Sequence, residues 1–182
     1  MTDREMWDNA TAVVKSEYEA LAGSVRARLR PLLDILRREK AEIASIAERR
    51  GASDVCSGCG GACCRTGKYH FTTIDLLAFF DTDAVLMTPD FDAGSCPYLG
   101  RGGCLMVPSY RPLTCIIFHC ERLEALLPPG DVERIHELER SIRGTCGEIE
   151  KLFRRRLTQG LLLSYERSLE RGNCGILAEG KE

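Results

Sequence analysis

The 182-residue chain has no marked excess of charge of either sign: 25 Lys and Arg stand against 27 Asp and Glu, a formal net charge of −2. That balance excludes a strongly cationic nucleic-acid binder on global grounds. No apolar run approaches the roughly 20 residues needed to cross a bilayer, so no membrane partner is expected. The segment Met1 to Asp8 is charged and leads into no apolar stretch, which predicts a cytoplasmic chain without a signal peptide. Internal repeats and low-complexity tracts are missing. So is a phosphate-binding glycine loop, because Gly58, Gly60 and Gly61 stand among cysteines and follow no strand. With 44% hydrophobic residues the chain is too apolar for disorder and long enough to bury a core.

What the sequence does have is cysteine, ten in all. In a reducing cytoplasm structural disulfides rarely persist, so clustered cysteines point to metal ligation or thiol chemistry. Residues 56–122 hold eight of the ten cysteines, eight of the 17 glycines and four of the seven prolines, and this shift divides the chain. The expected organisation is N-terminal helices over 1–55, a cysteine-cluster domain over 56–122 and a C-terminal helical segment over 123–182, together one compact unit.

Helical spacing carries the flanks. Met6, Ala10, Val13, Val14, Tyr18 and Leu21 predict a first helix over 3–22, with Gly23 as its stop and Ser24 capping the next. Val25, Leu29, Leu32, Leu33, Leu36, Ile43 and Ile46 predict that second helix, closed by Gly51, with Pro31 kinking it or marking a later start. Asp131 is expected to cap a long third helix with an apolar face from Val132 to Leu157, used either within the chain or as a dimer seam. Gly160 should break it before Leu161–Leu169, and Gly172 end it. Arg154-Arg155-Arg156 reads as a solvated face near a helix C-terminus.

The cysteines fall in two groups. Cys56-Ser57-Gly58-Cys59 is a pair whose two-residue gap suits one metal gripped from a tight turn, and Cys63-Cys64 follow. Glycine between them lets amide N–H groups approach sulfur and offset its charge. The second group is Cys96, Cys104, Cys115 and Cys120, separated by Gly- and Pro-punctuated turns that bring distant thiols toward one point. Cys146 and Cys174 stand alone on helix-like sequence and read as small buried hydrophobes. His70 and His119 are expected to pack beside the thiols, and His136 to be exposed. Cys115 near His119 can be posed as a nucleophile–base pair, but no third orienting group accompanies them, and the catalytic residues are unknown.

The pattern resembles the CxxCxxxCC (YkgJ-like) family, described as zinc- or iron-chelating domains. The matching residues are Cys56, Cys59, Cys63 and Cys64; Cys96-Pro97-Tyr98-Leu99; Gly103-Cys104; and Tyr110-Arg111-Pro112 with Cys115. Thr73 and Asp75 before Leu76 are similar to the family's threonine–aspartate helix start, and Cys120 to an extra cysteine of some relatives. Ile116 departs from the basic residue often found there. The resemblance implies a metal-chelating lobe. A branch of the family occurs in flagellin lysine methylases, but no methyl-donor motif is present here.

Two Zn(Cys)₄ sites would use all eight thiolates, whereas one [4Fe–4S] cluster needs four. Adjacent cysteines and glycine amides suit an iron–sulfur cluster slightly better. Thiolates leave negative charge at the centre, and of Arg65, Lys68, Arg101 and Arg111, Arg111 beside Pro112 is the best placed to offset it as a cofactor-binding residue. Three functions follow: a metal- or cluster-binding protein in electron transfer or redox support of a partner; a zinc-stabilised protein-interaction module, its long helices meeting a partner or a second copy; or a metal-dependent enzyme of unknown reaction. The expected fold is mainly α, a helical bundle flanking an irregular cysteine-rich lobe. Its β content should be small, with short extended pieces at Tyr69–Phe71 and Leu105–Val107 and with Cys96 and Cys104 on turns.

Overall fold

The computed structural model describes residues 1–59, 67–93, 96–100, 103–172 and 175–177, with the backbone alone at 57, 59 and 103. The first helix, α1 (Asp3–Glu19), starts at a capping box: the Thr2 hydroxyl accepts from the Glu5 amide while the Glu5 carboxylate accepts from the Thr2 amide. It buries Trp7, Ala10, Val14 and Tyr18. The second, α2 (Gly23–Glu48), buries Leu29, Leu33, Leu36, Lys40, Ile43 and Ile46 along one stripe. Two expectations are corrected here. The chain turns at Ala20–Ala22, so Gly23 opens α2 instead of stopping α1, and Ser24 lies inside the helix with extended Ala22 in the cap position. Pro31 sits in the interior of α2, so it does not mark a later start. Its ring is exposed, and the buried stripe that runs past it on both sides offsets the one amide bond it removes. Gly51 follows in the left-handed region at φ +81°, where glycine is favoured.

The central part is built from short pieces: α3 (Ala52–Cys59), a 3₁₀ turn at Gly67–Tyr69, α4 (Thr73–Asp81), the two-residue strands β1 (Leu99–Gly100) and β2 (Gly103–Cys104), a 3₁₀ turn at Pro108–Tyr110, α5 (Leu113–Ile117) and α6 (Glu121–Glu124). The strands pair antiparallel with Leu99 opposite Cys104 and Gly100 opposite Gly103. The small β element is therefore a hairpin around glycines, not a pairing of Tyr69–Phe71 with Leu105–Val107. Tyr69 belongs to a 3₁₀ turn, and the neighbouring Thr72 makes a single bridge to Gly160.

The long C-terminal helix, α7 (Pro129–Phe153), begins one turn step before the expected cap. Pro128 takes that position, and Asp131 sits in the first turn, ion-paired with Arg50 at 2.8 Å. The helix ends before Leu157, because Arg154 turns left-handed at φ +49° and the Glu150 carboxylate accepts from the Leu157 and Thr158 amides. Arg154 and Arg156 are exposed there. The last helix, α8 (Leu161–Glu170), is capped by Gly160, and Gly172 at φ +74° follows it. Leu161 donates its amide to the Phe71 carbonyl at 2.6 Å, and a Cβ at Gly160 would overlap the Tyr69 carbonyl oxygen.

Packing joins these parts. The apolar face of α7, Ile135, Leu138, Ile142, Cys146, Ile149 and Phe153, is buried within the chain, and α2 is its main neighbour. α1 lies against α4 and α8, and α2 also meets α4 and α5. One core runs from Trp7 through Phe71, Tyr98 and Ile116 to Leu161. The architecture is mainly helical, and among the described residues no helix is long and apolar enough to cross a membrane.

Candidate metal centre

Cys56 and Cys59 do not lie in a tight turn. They are three residues apart on α3, positions that share a helix face. α3 packs against β2, which carries Cys104, and against α6, which Cys120 precedes as its cap residue. The fold thus gathers the segments of Cys56, Cys104 and Cys120 on one side of the lobe; Cys56 and Cys104 are exposed and Cys120 half-buried. Cys104 stands on a strand, where a turn was expected. Cys63, Cys64 and Cys174 lie outside the described residues, as does the side chain of Cys59.

Cys96 and Cys115 are held by other contacts. Cys96 is buried and opens a turn closed by the Leu99 amide on its carbonyl at 3.0 Å, as its proline and glycine surroundings suggested. Gly67 is pressed so closely on it that a Cβ there would overlap the Cys96 sulfur. That approach requires glycine and seats Sγ against backbone. Cys115, on α5, lies 3.4 Å from Nδ1 of His70. The proposed pairing with His119 does not form part of this geometry. α5 ends at Ile117 and Phe118 is extended, so the i, i+4 approach of Cys115 and His119 is lost. Burial lowers the pKa of both His70 and His119, favouring neutral imidazoles.

Tyr98, two residues after Cys96, is 1% exposed, its ring packed on Trp7 and Phe71 with centroids 5.8 Å from each. Burial raises the pKa of its phenol far above the usual range, and negative charge at Cys96, Asp75 and Cys115 adds to the effect. Its hydroxyl has no hydrogen-bond partner among the described residues.

Behind Tyr98 lies a polar seam that the sequence reading missed. Lys40 of α2 and Asp75 of α4 are 3% and 2% exposed and pair at 2.5 Å. The other Asp75 oxygen accepts from the Thr72 amide at 2.9 Å and the Thr72 hydroxyl at 2.7 Å, completing a capping box. The helix start is thus capped by Thr72 and Asp75, with Thr73 inside the first turn. Through Thr72 this seam holds the segment that carries His70. A signal was available: Lys40 occupies the stripe of Leu29, Leu33, Leu36 and Ile43, where a lysine must find a buried partner.

Arg111 is half-buried and donates Nε to the Met106 carbonyl at 2.8 Å, which fixes the turn before α5. His136 is exposed on α7 and lines a groove with Leu127, Val132 and Arg140. A second groove lies between Arg4, Trp7 and Thr11 of α1 and residues 86–89. Neither groove is lined by His70, Tyr98, Arg111 or His119.

Among the described residues no group of three or more His, Cys, Asp or Glu is assembled to hold a metal by itself. What they offer is a soft donor set: Cys96 and Cys115 from separate segments, with an imidazole at Cys115. No two described cysteines are joined by a disulfide. Thiolate donors suit zinc, iron–sulfur clusters and other soft metals, and mixed thiolate–imidazole sets suit zinc. No protein-family model, curated protein or solved structure matches the chain.

Proposed function

We propose that the protein binds a thiolate-ligated iron–sulfur cluster in the lobe of residues 56–122 and acts in electron transfer or redox support of a partner. The observation that supports this reading most is the way the fold seats Cys96 and Cys115. The two cysteines come from separate segments, one seated against Gly67 and the other against His70. The order of Cys56, Cys59, Cys63, Cys64, Cys96, Cys104, Cys115 and Cys120, with its resemblance to the CxxCxxxCC family, supports it further, and these eight are the proposed ligand pool. Cys63 and Cys64 are adjacent and suit opposite sides of one cluster. When bound, such a cluster supplies one-electron chemistry, and its potential depends on burial and on hydrogen bonds to sulfur. The chain's part is to exclude water, through Trp7, Phe71 and Tyr98, and to supply positive charge nearby, for which Arg111 is proposed.

Zinc is the second reading, favoured by one observation: the half-buried imidazole of His70 lies 3.4 Å from the Cys115 sulfur, a nitrogen donor beside a thiolate. A zinc centre would make the lobe a structural module for protein interaction. Anaerobic purification with metal analysis, acid-labile sulfide determination and an absorption spectrum separates the two. Iron and sulfide with visible charge-transfer bands are expected. Stoichiometric zinc in a colourless protein would overturn the cluster and leave the module, and a metal-free protein would remove both.

A further inference from the structure

We propose that the protein forms a homodimer through the exposed face of α7, two copies lying antiparallel so that Glu133 of each meets Arg140 of the other. The inference does not depend on the metal-centre reading.

Charge is the first observation. Among the described residues Glu133 and Arg140 have no ion pair or hydrogen bond from their side chains, whereas every other acidic or basic side chain of α7, from Asp131 to Lys151, has a partner. The two are opposite in sign and stand two turns apart, about 10 Å along the axis, so they share a face and do not meet. The second observation is self-complementarity. A twofold axis between positions 136 and 137 sets Glu133 against Arg140 of the other copy, and each such contact occurs twice. The same register lays Pro129 over Gly144, with Gly147 one turn beyond, toward Leu127. A Cβ at Gly144 or Gly147 would meet nothing within 4 Å, so nothing within the chain requires glycine there, and glycine weakens a helix interior. Close approach of a second helix gives both a use. The third is an apolar edge: Leu127, Pro129 and Val132 line a groove of about 420 Å³ with Glu133, His136 and Arg140, and Leu126 beside them is 49% exposed. Exposed ion pairs add little affinity by themselves. Here the apolar edge supplies the attraction and the charges fix the register. A face that is its own complement selects a second copy over an unrelated partner.

The test is charge reversal. Full-length protein, kept reduced so that no intermolecular disulfide contributes, is measured by light scattering and sedimentation over a range of concentrations. Wild type is expected to dimerise reversibly. Glu133→Arg and Arg140→Glu should each weaken the dimer about tenfold or more, because like charges then face each other twice, and the double reversal should restore it. Gly144→Leu should weaken it as well while circular dichroism shows undiminished helix content. Wild type that stays monomeric at every concentration would overturn the proposal. So would a dimer indifferent to both single reversals, or one lost in the singles and not regained in the double. None of these results bears on metal binding, which is read separately by metal analysis.

Discussion

The helical bundle and the cysteine lobe are stabilised in different ways. In the bundle, α2 and α7 are 26 and 25 residues long and meet along continuous stripes of leucine and isoleucine. Burial of such side chains contributes about 1.5–3 kcal/mol each, enough to hold long helices without help. The lobe has helices of four to nine residues and strands of two. Elements that short are not stable alone, and several of the lobe's apolar side chains, Leu105, Val107 and Phe118, face outward. A region built of such short elements is where a metal would add most, because binding energy becomes folding energy. The bundle carries long stripes of its own, and the lobe adds Phe71, Tyr98 and Ile116 to the same core.

Four substitutions or conditions bear on this contrast. The largest effect is expected at the seam between the two regions. Lys40→Met leaves Asp75 charged, buried and without its partner, and should lower unfolding stability by about 3–5 kcal/mol in a denaturant titration. A change below about 1 kcal/mol would mean that the pair does not tie the regions together. Next is Gly67→Ala, whose added methyl overlaps the Cys96 sulfur. It should cost about 1–3 kcal/mol by overpacking. Hydrogen exchange should show faster exchange over residues 96–118 while α2 and α7 keep their protection. Loss of protection throughout would erase the distinction between scaffold and lobe.

A smaller effect is expected from Thr72→Ala, which removes the cap of α4. About 1 kcal/mol should be lost, and the coupling of His70 to Cys115 should loosen, visible as a changed His70 titration by NMR. The smallest, absent at neutral pH, belongs to the bundle. Burial pushes the Cys146 thiol up to about 11 from an ordinary 9.0. The folded chain thus keeps that proton where the unfolded chain has lost it, and stability should fall as pH rises between those values. Cys146→Ala should lessen this alkaline slope, and an unchanged slope would place the titrating group elsewhere.

Much of the bundle was legible from residue spacing. The stripes of α1, α2, α7 and α8 follow a 3.6-residue period, and Gly51 and Gly172 mark stops because a left-handed residue favours glycine. The errors fell at termini: Gly23, Ser24, Asp131 and Leu157 were assigned by local rules, and each was overridden by a neighbour or a turn. Asp131 was taken by Arg50, and Leu157 was drawn off the helix by Glu150. In the lobe, legibility was chemical more than geometric. Cysteine clustering named the residues, but not that Cys56 and Cys59 stand on a helix, that Cys104 lies in a strand, or that Cys115 meets His70 and not His119.

The sequence by itself determined the helical class of the chain, through the period of its apolar side chains, and the identity of its soft donor atoms, through its cysteines. Both are local properties that a single strand of text can carry. Only the tertiary structure decided which donors meet. It brought Gly67 to Cys96, His70 to Cys115 and Lys40 to Asp75, pairs separated by 29, 45 and 35 positions in the chain. Such meetings depend on how several helices pack at once, and the spacing within any one segment does not encode them.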